Sequence, residues 1–384
     1  MSVYVGIDVH RKRSQVAVVT DDGQVQVNRN VPNGVEPILK LIGDLPTGTP
    51  VAFEAAYGWG WLVELLEDYG FDPHLVHPLR CKAIASARLK NDKVDAAILA
   101  QLLRADLLPE AWIAPAEVRQ LRALLRHRVA LVRLGTRLRN RIHAVVADHG
   151  YDRPGACWTG SYWTGPGRQW LAELPLPDVS RLIVADSLAF VDALAPTIDR
   201  LGHEIHARAK QDPRVKVLTA LPGVGEFTAM VLLAEIGDIS RFRNARALAS
   251  WAGLTPTVRG SDLTVRHGHI SKQGSPYVRW VLGQAAHVAK RHPEFAASYH
   301  GIANRRGSKI ATVAVARKLL TRAYHLLANT DANNQHAATD TADNSTCVAR
   351  GPRARSQTGR VTKPRVRSLQ RHEPAASGHA RAFD

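Results

Sequence analysis

A chain of 384 residues is too long for one ordinary hydrophobic core, so two or three domains are expected. Its 51 Lys and Arg against 34 Asp and Glu give a net charge of +17 and a pI near 10.2, which predicts attraction to a polyanion, nucleic acid before an anionic membrane surface. Charge breaks every apolar run well short of the roughly 18 residues of a membrane span, and Cys81, Cys157 and Cys347 lie in no disulfide or metal-ligand spacing. A membrane span, a disulfide scaffold and a zinc knuckle are therefore not expected, and a soluble cytoplasmic protein is.

In chain order, Val3 to Asp8 reads as a short buried strand and Gln15 to Thr20 as a second. A turn at Asp21-Asp22-Gly23 leads to a third alternating strand, Gln24 to Val27. Pro37 to Ile42 has helical periodicity, Val51-Ala52-Phe53 is a strand, Trp61 to Leu66 a helix and His74-Leu75-Val76 a last strand. A three-strand meander followed by alternating helices and strands is the order of an RNase H-like (RuvC-like) domain, placed over 1–112. Ala96 to Leu103 is strongly helical and puts Asp92 and Asp95 in a first turn, where the helix dipole tolerates negative charge.

Between Val118 and Ala147 there is no acid, while Arg119, Arg122, Arg126, Arg133, Arg137 and Arg141 punctuate the stretch. Leu124, Leu131, Leu138 and Val145 recur at heptad spacing beside Leu121 and Ile142. This predicts a long basic coiled-coil helix that opens a helical linker domain, 113–211, and nucleic-acid contact by part of its charged face. A solvated face would explain the seam but not the absence of acids. Residues 150–167, rich in Gly and Trp, read as a loop, and Asp212-Pro213 marks a boundary. Leu221-Pro222-Gly223-Val224-Gly225 then suits either a helix-hairpin-helix turn on a DNA phosphate or a plain tight turn between packed helices. Beyond Leu327 apolar periodicity stops, and 329–384 is expected to be a disordered basic tail.

Singly, Asp8, Glu54, Asp92 and Asp95 have ordinary readings as turn former, strand-end charge, N-cap and first-turn residue. Jointly they predict a site for a hard divalent cation, because adjacent strands bring Asp8 and Glu54 to one sheet edge and the i, i+3 pair shares a helix face. Magnesium is expected, with manganese the other oxygen-loving choice. His10 is expected to point away from Asp8, since neighbouring places in a strand alternate. Gly6-Ile7-Asp8 also opens sugar-kinase and actin-like ATPase folds, but those need paired glycine-rich phosphate loops that are not apparent.

Gly6-Ile7-Asp8-Val9-His10, Phe53-Glu54-Ala55 with Tyr57-Gly58-Trp59, and Lys90-Asn91-Asp92-Lys93-Val94-Asp95 together resemble the DEDD transposases of bacterial insertion sequences. That group includes the pilin-gene invertase and the bridge-RNA-guided recombinases. Leu221 to Gly225, Leu233 to Asp238, Ala252 to Pro256 and Gly268 to Ser275 resemble its C-terminal transposase domain, here 212–328. The resemblance implies that Asp8, Glu54, Asp92 and Asp95 hold metal and that a serine after the Gly-Leu-Thr-Pro segment attacks DNA. Ser261 matches that position, with Ser271 and Ser275 as further candidates. It also implies a homodimer or homotetramer sharing acids and serine between protomers, with the heptad seam as an interface, and DNA together with a structured guide RNA as partners. Arg266, His267, His269, Lys272 and Arg279 near the proposed serine read as phosphate-gripping groups or as a generic basic surface. Two other functions fit the same residues: a RuvC-like junction nuclease with water as nucleophile, and a nucleic-acid-binding protein with a relic metal site.

Overall fold

The computed structural model describes residues 2–55, 58–84, 92–151, 163, 165–261 and 264–346. The chain opens with strands β1 (Val3–Val9), β2 (Arg13–Thr20) and β3 (Val25–Pro32), helix α1 (Val35–Ile42) and strand β4 (Pro50–Glu54). Helix α2 (Gly60–Asp68), strand β5 (Asp72–Val76) and helices α3 (Pro78–Ile84) and α4 (Asp92–Arg104) follow. The five strands form one sheet in the order β3-β2-β1-β4-β5, the first three antiparallel and β1-β4-β5 parallel. An antiparallel meander continued by parallel strands is the RNase H-like arrangement the strand order predicted. The third strand runs five residues further than expected, to Pro32, along the sheet's outer edge.

Strand alternation divides the sheet into two unlike faces. Val5, Ile7, Val16, Val18, Val51 and Phe53 pack with Ile38 and Ile42 of α1 and Leu62, Val63 and Leu66 of α2. On the opposite face Gly6, Ala17 and Ala52 stand side by side across three strands, and these small residues let α4 lie directly on the backbone. A Cβ on Gly6 would sit 2.1 Å from the Ala96 carbonyl oxygen, closer than any real contact, so this glycine is what the helix–sheet distance requires.

Two long helices come next, α5 (Ala116–Asp148) and, after the short α6 (Gly165–Glu173), α7 (Asp178–Gln211). They run antiparallel. Leu125 near the start of α5 shares a core with Ile205 and Ala209 near the end of α7, and Ile142 and Val146 share one with Val184 near its start. The fully buried places of α5 are Leu125, Val129, Gly135, Ile142 and Val146, with Leu124, Leu131, Leu138 and Val145 only half-buried beside them. The seam therefore lies about one residue over from the leucine heptad, and its occupant is α7 of the same chain, joined by α9 below. The expected loop at 150–167 lies mostly outside the described residues, except that α6 already begins at Gly165.

The remaining elements are α8 (Pro213–Thr219), α9 (Glu226–Ile236), α10 (Ala245–Trp251), β6 (Pro256–Ser261), β7 (Thr264–Ile270), α11 (Pro276–Ala289), α12 (Pro293–Arg306) and α13 (Ser308–Thr346). Helix α9 is buried on all sides, Ala229 to Ile236 without a break and with Glu235 as the one charged residue among them, and is the centre of this core. The Pro-Gly turn between α8 and α9 is packed, not presented: Gly223 has a φ of 77°, and a Cβ there would meet the Ala285 carbonyl of α11 at 2.4 Å. Two corrections to the sequence reading arise here. An antiparallel hairpin, β6-β7, stands where only loops were expected, and α13 continues to Thr346 through residues expected to be disordered. The helix meets neither Gly nor Pro before Gly351, so nothing stops its propagation once Ala311 to Leu327 are anchored in the core. Met1–Ala328 form one compact unit and Asn329–Asp384 a second; residues 347–384 lie outside the described residues.

Candidate functional site

Asp8 and Glu54 reach the same place by strand geometry. β1 and β4 pair in parallel with Ile7 beside Phe53, so the next residues, Asp8 and Glu54, come side by side at the C-terminal edge. Asp8 is two places on from Gly6 and Glu54 two on from Ala52, which sets both on the face covered by α4. That helix runs antiparallel to β1. At its far end Gln101 donates to the Gly23 carbonyl (2.6 Å) and Arg104 to that of Asp21 (3.0 Å), both at the β2-β3 turn, while Asn28 donates to the Lys93 carbonyl (3.0 Å) near its start. The first turn of α4, with Asp92 and Asp95, is thereby brought to the edge where Asp8 and Glu54 end their strands.

Two further side chains belong to this edge. His10 Nε2 lies 3.3 Å from Asp8 Oδ2, contrary to the expectation that it would point away. That expectation took His10 for Asp8's neighbour; it is two places on, the same-face spacing of an extended chain, so its ring comes beside the carboxylate just past the end of β1 at Val9. Cys81 of α3 is buried, and burial pushes its thiol pKa up, with the negative charges of Glu54 and Asp95 adding to the effect. Glu54 and Asp95 thus act on one atom from two different elements. Among the described residues no three His, Cys, Asp or Glu side chains stand close enough to hold a metal ion, but the side chain of Asp92 lies outside them. The carboxylates that β1, β4 and α4 bring to this edge are all oxygen donors in a chain of net charge +17, the donor type a hard divalent cation takes.

Ser261 ends β6 paired with Thr264 of β7, and residues 262 and 263 lie outside the described residues. It stands at a hairpin tip, not in the open loop expected, and its side chain is likewise outside the described residues, as is that of His267. Ser275 is engaged within the fold. It is buried as the N-cap of α11, its Oγ accepting from the backbone N–H groups of Tyr277 (3.2 Å) and Val278 (3.4 Å). Ser271 is half-buried beside the turn in which Lys272 adopts a left-handed φ of 55°.

The basic residues divide into two groups. Arg119 donates to the Ala114 carbonyl and pairs with Glu64 of α2 at 2.8 Å. Arg122 donates to the Ala234 and Glu235 carbonyls at the end of α9, and Arg126 grips the buried Glu235 carboxylate with two bonds of 2.8 and 2.9 Å. Arg133 stacks over Tyr277 and Trp280, and Arg279 donates to the carbonyls of Ala252, Gln273 and Gly274. All five, expected to contact nucleic acid, have partners within the fold, although Arg126 and Arg133 also keep part of their surface exposed. Arg137, Arg141, Arg266, His269 and Lys272 remain exposed. The sequence reading also missed Glu235 and Arg241. The latter is packed on Trp112, Phe242 and Trp251, and burial, with Arg122 nearby, pushes its pKa down to about 10. No spacing in the sequence pairs an acid at 235 with an arginine 109 residues earlier.

No helix among the described residues is long and apolar enough to cross a membrane. The family model for the DEDD domain of IS110-type elements, described as a transposase, matches residues 5–150, and a second, described as the transposase IS116/IS110/IS902 family, matches 215–300. A probable family 20 transposase of Pseudomonas aeruginosa is 29% identical over 280 residues, covering 70% of this chain and 80% of its own. The transposase of insertion sequence element IS1111A from Coxiella burnetii is 24% identical, covering 82% and 86%. The pilin gene-inverting protein of Moraxella lacunata is 26% identical, covering 84% and 95%. The DEDD domain model spans the sheet and α4, which carry all four acids, and such a domain points to divalent-metal dependence in general. With both halves of the chain matched in order by models of one family, the chain belongs to the IS110 family of DNA transposases.

Proposed function

We propose that this protein cuts and rejoins DNA at the ends of an insertion element through a covalent phosphoserine intermediate, with Ser261 as nucleophile and Asp8, Glu54, Asp92 and Asp95 as ligands of magnesium. The observation that carries the reading is the convergence of carboxylates from β1, β4 and the first turn of α4 at one sheet edge. A divalent ion held there would neutralise charge on the scissile phosphate and polarise its oxygens. The serine oxygen forms a bond to phosphorus while the bond from phosphorus to a deoxyribose oxygen breaks, and the serine proton passes to the leaving hydroxyl. Reversal by a different strand's hydroxyl reseals DNA with no net hydrolysis and no ATP. His10, 3.3 Å from Asp8, holds that carboxylate in place from outside the ligand set.

Ser261 ends a hairpin that follows α10, whereas the acids end strands of the N-terminal sheet. A homodimer or homotetramer, in which one protomer's serine meets another's acids, suits that separation in the chain. A structured guide RNA as second partner suits a chain with +17 net charge and no recognition-helix module in its sequence. A junction nuclease using water is the second reading, favoured by the same acids and independent of Ser261.

A covalent-trapping assay separates the two. Purified protein, magnesium and labelled donor-junction DNA, with and without the element's RNA, are resolved on denaturing gels for wild type, Ser261→Ala and Asp8→Asn. A labelled protein band in the wild type, lost in both variants, is expected. Metal-dependent cleavage with no covalent band, and full cleavage by Ser261→Ala, would instead identify the nuclease.

A further inference from the structure

A surface concavity of about 630 Å³ lies between the start of α10 and α13, far along the chain from the four acids. Its polar lining is Arg243, Asn244, Arg246, Ser250 and His325, completed by two alanines. No large apolar side chain lines it. No acid lines it either. Arg243 and Arg246 are both exposed and make no ion pair among the described residues, unlike the arginines of α5 that grip Glu235 and Glu64. The walls are nonetheless fixed. Tyr324 donates from its hydroxyl to the Phe242 carbonyl (3.0 Å), tying α13 to the residue before Arg243. The His325 ring packs edge-on against Tyr324 with centroids 5.3 Å apart. Asn244 is held by the Ala247 N–H at 2.9 Å.

Two arginines lining one concavity whose lining holds no carboxylate suit recognition of an anion. The room exceeds what one inorganic ion needs, since a water molecule takes about 30 Å³. We propose that this concavity binds the sugar–phosphate backbone of a nucleic-acid strand, Arg243 and Arg246 each taking one phosphate, with the Ser250 hydroxyl and His325 ring at its rim. The inference rests on the reading of the protein as one that acts on nucleic acid, and adds a contact remote in sequence from the acids and from Ser261.

The test measures equilibrium binding of the full chain to a random-sequence DNA duplex and to an RNA hairpin over a range of salt, for wild type, Arg243→Gln/Arg246→Gln and a control double variant, Arg291→Gln/Arg306→Gln. The control removes the same charge from exposed positions elsewhere. Loss of two phosphate contacts should weaken binding about tenfold and flatten the log–log salt dependence by about 1.8 for the DNA duplex, and by about 1.4 if the contacts fall on a single-stranded part of the RNA hairpin. The nucleic acid whose slope changes is the one seated in the concavity. Arg243→Lys/Arg246→Lys should restore most of the slope, since a lysine still neutralises a phosphate. Equal losses in both glutamine pairs, or an unchanged slope, would overturn the proposal while leaving nucleic-acid binding intact. If wild type bound neither nucleic acid, the wider reading would fall with it.

Discussion

Single residues in this protein do work that their chemical type does not announce. Gly6 is the clearest case, because a methyl group there would collide with the Ala96 carbonyl and the Ala100 nitrogen of α4, at 2.1 and 2.7 Å. Gly6→Ala should destabilise by about 1–3 kcal/mol or more, as overpacking does, and should also abolish metal-dependent DNA processing by lifting Asp95 from the sheet edge. Chemical denaturation with a parallel activity assay checks both, and retained activity at lowered stability would show that α4 can shift without moving its acids. Arg126 shows the converse, a surface-looking residue with an internal partner. Arg126→Ala leaves Glu235, only 4% exposed, without its two guanidinium bonds, and should cost about 1–3 kcal/mol, whereas Arg137→Ala should change stability by no more than about 0.5 kcal/mol. Thermal melts of the two variants make the comparison.

Among the elements, α5 best separates what a pattern says from what a neighbour decides. Its sequence declares a long basic helix with an apolar seam, and the structure has that helix over Ala116–Asp148. Repeating leucines attract any complementary helix equally, so sequence alone left a second copy of the chain as a candidate occupant. The antiparallel α7 takes that place, with Gly135 allowing its Leu194 to approach and Gly202 allowing Arg128 to do so. Ile142→Ala, at a fully buried position, should therefore cost about 2–5 kcal/mol. The loss should not vary with protein concentration, as it would for an intermolecular seam. Unfolding curves at widely spaced concentrations test this. The β6-β7 hairpin was missed because its strands are short, carry Gly260 and Gly268 inside them, and leave Val258 and Val265 exposed, so no buried face imposes a clear alternation.

For the whole molecule, net charge and fold contribute separately. A charge of +17 predicts nucleic-acid binding that weakens steeply with salt, and the slope counts the phosphates held. Five of the nine basic residues first assigned to nucleic acid are occupied within the fold, so Arg137→Ala/Arg141→Ala should reduce that slope by about 1.8, and Arg122→Ala/Arg126→Ala should act mainly on stability. Filter binding over a salt series, with melting temperatures for each variant, discriminates the two classes.

The sequence by itself determined the strand order, the long basic helix and the succession of motifs that marks the family, because each is a local pattern of period, charge or spacing. The tertiary structure decided which arginines find partners within the fold, what covers the α5 seam and that the Pro-Gly turn serves packing. Each of those depends on a partner far away in the chain, and a linear pattern records what a residue can do but not what stands next to it.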